Sequence, residues 1–228
     1  CFKGNYLMQI EELIEKYSSG QIKGWHFDSD IAKNSEVLPY RKAFRRQAGN
    51  LEGTGRLELT LLHEAVTKVI GEFPIHKQTI GDCVSHGWSL AVDVLKCVEI
   101  IIKGENESFE GETATEITYA GSRQIGGQLV SWDGSTGAWA AKWAIEFGFL
   151  LRKPYKDNGN EEDLTIYSGQ KAAKWAANRN GVPDWLEKFA KEHPVKTFSV
   201  VRRYEEARDA LANGYPVPVC SNAGFSST

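Results

Sequence analysis

The stretch Gln78, Thr79, Ile80, Gly81, Asp82, Cys83, Val84, Ser85, His86 brings together residue types suited to acyl transfer. The thiolate is the nucleophilic form of cysteine, and unpaired backbone N–H groups at a helix start favour it. Cys83 opens a long apolar-striped run, so it is expected to sit in that position. Gly81 permits a tight turn close to the sulfur, and Gln78 could offer an amide N–H to an oxyanion. Asp82 is expected at the N-cap, where its carboxylate would oppose a neighbouring thiolate. His86 lies one turn beyond Cys83 on a neighbouring face. A rigid helix keeps its ring off the line of attack, so it is expected to pack or cap and not to act as base. A buried helix cysteine with no chemistry is the plain alternative.

Positioning these residues falls to a helix-rich chain. Trp88, Leu90, Ala91, Val94, Leu95, Val98 and Ile101 form a broad stripe that predicts one long buried helix over 83–103. Upstream, Leu7, Ile10, Leu13, Ile14 and Tyr17 predict an amphipathic helix, and Leu57, Leu61, Leu62, Ala65, Val66 and Val69 a second one, ended by Gly71 and Pro74. Further helices are expected over 115–123, 137–147, 171–177, 183–192 and 204–213. Strands are expected over 195–201, from its alternation, and over 216–220. Helices first and sheet last argue an α+β class. Residues 1–70 read as a helical leader, 71–194 as a helical domain and 195–228 as the start of a β-domain.

The chain has 228 residues, 41% hydrophobic and 25% charged, which excludes disordered, collagen-like and coiled-coil classes and is ample for a buried core. A net charge of −3 supplies no basic field for nucleic acid, so no nucleic-acid partner is expected. The cluster Arg41, Lys42, Arg45 and Arg46 around Phe44 reads as the solvated face of a short helix, with a basic patch for a partner as the alternative. The longest apolar run, residues 138–141, is far short of a bilayer span of about 20 residues, so no membrane partner is expected either. Four scattered cysteines, Cys1, Cys83, Cys97 and Cys220, suit neither a disulfide framework nor a metal site. Cys97 and Cys220 read as inert core thiols, and a reducing compartment fits best. His26, His63 and His76 fall on leader segments, and His193 reads as a helix C-terminal residue favoured by the dipole. Trp132, Trp139, Trp143, Trp175 and Trp185 read as core packing more than as sugar-stacking platforms. The chain opens with Cys1 in place of Met and stops shortly after a strand-like run, so it is expected to be a piece of a longer protein.

The stretch around Cys83 resembles the papain-like cysteine peptidases, whose catalytic cysteine opens a long central helix after a Gln and a Gly. Three further segments are similar to that family in the family's order. They are the loop from Trp132 through Gly134 to Gly137 with the helix after it, the Pro154, Tyr155 segment, and the helix from Tyr204 running into Tyr215, Pro216, Val217, Pro218 and Val219. Together they span about residues 77–221, closest in character to bacterial and phage-encoded members. The resemblance implies a papain-like fold, a helical domain around a long central helix followed by the start of a β-domain. It implies a thiol hydrolase with Cys83 as nucleophile and Gln78 at the oxyanion, acting on a peptide or protein substrate without cofactor or metal. Three departures stand out. Gln78 stands one residue closer to the cysteine than the family's Gln, with Lys77 at the usual place. Ile80 replaces the half-cystine of secreted members, which agrees with an intracellular setting. The family's general-base His and following Asn have no counterpart, since no His follows His193. The rival expectation is a non-catalytic structural or binding protein of the same fold, such as a phage particle component, whose residues 1–70 dock to neighbouring subunits. The corresponding settings are the cytoplasm or a virion.

Overall fold

The computed structural model describes residues 42–44, 48–55, 60–127, 134–177 and 181–220. The helix expected around Leu7 to Tyr17, His26, Trp132 and the arginines at 41, 45 and 46 lie outside them. In chain order the elements are β1 (Lys42–Ala43), a 3₁₀ turn (Gly49–Leu51), α1 (Leu62–Ile70), α2 (Cys83–Ile101), α3 (Thr115–Ile125), α4 (Gly137–Glu146), β2 (Pro154–Asp157), β3 (Asn160–Asp163), α5 (Gly169–Ala177), α6 (Asp184–Ala190), β4 (Ser199–Val200) and α7 (Tyr204–Ala212). The result is a helix-rich α+β architecture with little sheet.

Apolar spacing places the helices as expected, and two clusters result. The larger gathers around α3, which packs on both α4 and α5, and includes Ile117, Tyr119, Trp143, Leu150, Trp175 and Leu186. Here α3 and α4 approach so closely that a Cβ on Gly121 would collide with the Trp143 ring. The smaller joins Ala65 and Val66 of α1 to Val94, Cys97 and Val98 of α2. Trp139, Trp143 and Trp175 are buried, in keeping with a packing role.

Segments upstream of residue 70 are tied to the remainder of the molecule. Besides the seam between α1 and α2, the Gly53 and Gly55 N–H groups donate to the Asp209 carboxylate of α7 (2.6 and 3.1 Å). Thr60 Oγ1 donates to the Ala212 carbonyl (2.9 Å), and Asn213 Nδ2 donates to Thr54 Oγ1 (2.7 Å). These bonds seat the flanks of α1's approach, at Gly53 to Gly55 and at Thr60, against the end of α7.

The strands differ most from expectation. Of the run 195–201 only Ser199–Val200 is paired, in parallel with Lys42–Ala43. Residues 216–220 are not strand, since a strand needs a neighbour to complete its hydrogen bonds and none lies alongside among the described residues. Conversely, β2 and β3 form an antiparallel hairpin that the hydrophobic pattern does not predict. Its turn residues Asn158 and Gly159 both have positive φ (47° and 83°), as the Asn-Gly turn of a tight hairpin requires. The flanking residues are mostly exposed and charged, so no apolar alternation marks them as strands.

Candidate active site

The start of α2 gathers the residues singled out for chemistry. Cys83 is the first residue of this 19-residue helix and its side chain is partly exposed. The Val84 N–H bonds to its sulfur and favours thiolate, as a helix start should. Opposing influences win. Burial, then the proximity of Cys220 and of Asp82, push the Cys83 thiol up to about 11. The resting side chain is therefore a neutral thiol near pH 7.

Asp82 occupies the N-cap position, but its side chain makes no capping bond, contrary to the sequence expectation. A different group claims the carboxylate, which is fully buried: the Tyr167 hydroxyl donates to Oδ2 at 2.8 Å. His86 Nε2 lies 3.4 Å from the same oxygen but makes no hydrogen bond with it, and its ring meets Tyr167 edge-on at 5.0 Å between centroids. Tyr167 also accepts from Thr79, from the backbone N–H at 3.4 Å and from Oγ1 at 3.3 Å. Thus Tyr167 clips down the loop that presents Cys83. Asp82 Oδ1, Ser85 Oγ and Ser89 Oγ are buried with no hydrogen-bond partner among the described residues. His86 is buried and turned toward Asp82 and Tyr167, which agrees with a packing role.

Gln78 lies on the same loop, partly buried, and its Nε2 donates to the Ile80 carbonyl at 2.5 Å. One of its two amide hydrogens is therefore committed within the loop. Beside the loop an open groove is lined by His76, Phe109, Glu112, Arg152, Ile166 and Tyr167. His76 Nε2 lies 2.8 Å from a Glu112 carboxylate oxygen. Arg152 Nη1 donates to both oxygens of the fully buried Glu116 (3.0 and 2.9 Å), Nη2 donates to Thr115 Oγ1 (3.2 Å), and the guanidinium stands 5.8 Å from the Tyr167 ring centre. The Ser168 N–H completes the network by donating to Glu116 Oε1 (2.8 Å). Sequence reasoning misses Tyr167, Arg152 and Glu116. Arg152 lies next to the Pro154, Tyr155 pair, which does carry a sequence signal, whereas no local signal marks Tyr167.

The remaining candidates are dispersed. Cys97 is fully buried and its thiol is pushed up to about 11, with burial the leading cause. Cys220, expected in the core, is exposed, because the segment carrying it pairs with no sheet among the described residues. Its sulfur lies near the start of α4, 3.7 Å from where a Cβ on Gly137 would stand, and Trp88 Nε1 lies 3.9 Å from that same point. His193, expected at a helix C-terminus, falls beyond α6, which ends at Ala190, and its imidazole sits 3.9 Å from Glu110. Burial, followed by the charge of Lys96, lowers its pKa. Among the described residues no imidazole hydrogen-bonds to Cys83, and no helix is long and apolar enough to cross a membrane.

No protein-family model and no curated protein matches the sequence. Among solved structures the chain is similar to xylellain, a cysteine protease from Xylella fastidiosa, at 17% identity and a TM-score of 0.39. The similarity covers 69% of this chain and 59% of that one. At that depth the chemistry of the present chain rests on its own residues.

Proposed function

We propose that this chain carries the helical part of a papain-like thiol hydrolase, followed by the start of its β-domain, with Cys83 as the nucleophile toward a peptide carbonyl. The observation that carries the reading is the placement of Cys83. It is the first residue of a long buried helix, partly exposed, with a backbone N–H bonded to its sulfur. In the reaction, Cys83 sulfur bonds to the carbonyl carbon while its proton passes to a base, and the oxyanion is met by the Cys83 N–H with the uncommitted Gln78 amide hydrogen. Expulsion of the amine takes a proton and leaves an acyl-thioester, which water then hydrolyses. A thiol that rests neutral depends on that base, and general acid–base help is worth about 10² to 10⁴-fold.

The test compares turnover of an unselective peptide pool by the full-length protein and by its Cys83→Ala variant. Hydrolysis is expected from the first and only background from the second. Equal rates would leave Cys83 with no catalytic part.

One observation favours a second reading. The thiol is held neutral and no imidazole among the described residues reaches it, which suits a non-catalytic structural or binding protein, such as a phage particle component that docks to neighbouring subunits through residues 1–70. Absence of Cys83-dependent turnover in the full-length protein, together with a large assembled species in size-exclusion chromatography, would select it.

A further inference from the structure

A buried carboxylate directly before a nucleophilic thiol is a costly arrangement. Burying an ionised group is unfavourable unless it is well paired, and an Asp at a helix start ordinarily offsets this by accepting backbone N–H groups of the first turn. Asp82 accepts none there with its side chain. It is fully buried, one oxygen has no partner among the described residues, and the other is held by Tyr167 at 2.8 Å. Its charge also has the wrong sign for a thiolate next door. Such a pair is poorly explained by stability alone.

We infer that Asp82 and Tyr167 form a positioning pair: the Tyr167 hydroxyl holds a buried carboxylate at the start of α2, directly before Cys83, where it acts together with burial as a brake on the nucleophilicity of the sulfur. The consequence for turnover rests on the hydrolase reading, whereas the effect on the thiol does not. Among the described residues, few groups face Cys83 and Asp82. Cys220 comes from the segment after α7, Asp82 precedes the helix, His86 stands one turn along α2, and Tyr167 comes from the segment before α5. His76, beside Glu112, stands further out, its ring 6.5 Å from that of His86. Tyr167 is fixed in turn by Thr79 and packed between His86 and Arg152, so its hydroxyl is aimed at Asp82 by contacts on several sides. Because Tyr167 also lines the open groove, groove and thiol share one residue.

The measurement is the rate of Cys83 alkylation by iodoacetamide as a function of pH, resolved by peptide mapping, with Cys97, sealed in the core, as the silent reference and circular dichroism as the check on folding. In the unmutated protein the Cys83 midpoint is expected above that of the same thiol in the urea-unfolded chain. Equality of the two would overturn the brake without any variant. Asp82→Asn keeps an acceptor for Tyr167 and removes the charge, so Cys83 should react about 10-fold faster at a fixed, mildly alkaline pH, the equivalent of one unit in midpoint. Tyr167→Phe removes only the hydroxyl and lets the carboxylate turn toward water, for a gain of about 3-fold. If the two residues serve structure alone, both variants melt earlier and leave the Cys83 midpoint where it was, which would sink the proposal. Should Asp82→Asn fail to fold, Tyr167→Phe decides, because burial alone would raise the unmutated midpoint. Alkylation needs no turnover, so a shifted midpoint in a protein that hydrolyses nothing keeps the brake and drops the hydrolase. Cys83-dependent hydrolysis with an unmoved midpoint does the reverse.

Discussion

Both halves of α2 bury side chains, and the two buried sets are chemically opposite. Toward its C-terminus, Val94, Cys97 and Val98 press against Ala65 and Val66 of α1, an apolar seam with no polar atom to satisfy. Around its N-terminus, Asp82, Ser85, His86 and Ser89 are buried together, and each keeps a polar atom without a hydrogen-bond partner among the described residues. Asp93 marks the border, buried but satisfied by the Thr113 N–H (3.1 and 3.0 Å to its two oxygens) and by the Thr113 hydroxyl. Burial of apolar area stabilises, whereas burial of unpaired polar atoms destabilises. One end of the helix therefore holds the fold together, and the other is kept at a cost in stability beside the residue best placed for chemistry. The two thiols on this helix make the same point. Burial leads in pushing each up to about 11, yet Cys97 is sealed in the seam and Cys83 opens to solvent among polar neighbours.

That contrast can be broken by substitution. The largest effect is expected at the apolar end, where Val98→Asp would bury an unpaired charge and should cost on the order of 3–5 kcal/mol in urea unfolding. A variant as stable as the unmutated protein would show that the seam between α1 and α2 is not core. A smaller effect is expected at the border. Burial, outweighing the Thr113 bonds and Lys96, raises the Asp93 pKa above the ordinary carboxylate value. The folded state then holds this proton at pH values where the unfolded chain has released it. Its stabilising contribution is complete below the unfolded value of about 3.9 and is lost as pH rises through the raised folded value. Asp93→Asn should therefore flatten the fall in stability from acidic pH upward, read from melting temperatures of the two proteins across that range. Parallel curves would mean that Asp93 does not titrate differently on folding. The smallest effect belongs to the polar end: Ser85→Ala with Ser89→Ala should change stability by less than about 1 kcal/mol, and in the favourable direction if either way, because a hydroxyl with no partner contributes nothing by leaving water. A loss above about 2 kcal/mol would show that these hydroxyls are structural after all.

Much of the helical layout is legible in the residue pattern. The stripes in α2, α3 and α4 predict helices within a few residues of where they lie, and Gly148 ends α4 with a positive φ where a Cβ would strike the Ala190 carbonyl. Cys83 at the first turn of α2 is readable for the same reason. Other signals are present but outweighed. Asn158 and Gly159 spell a tight hairpin turn, yet charged flanks hide the strands, and alternation over 195–201 suggests more strand than its two-residue partner supports. The groups that surround Cys83 from distant segments are not legible at all.

What the sequence alone determined is local: which stretches coil, which face of each is apolar, and that a cysteine stands at the head of the longest described helix. Those properties belong to a single segment, where the backbone repeat itself imposes the spacing. Tertiary structure decided the rest. Tyr167 meets Asp82 across 85 positions of chain, Arg152 meets Glu116 across 36, and Asp209 meets Gly53 across 156. No periodicity encodes such meetings, because they depend on how helices and loops pack as whole bodies. The protonation of the Cys83 thiol belongs to this second class. A helix start lowers it by a rule that sequence can apply, but burial, Cys220 and an uncapped Asp82 raise it further, and only the packed chain brings these together.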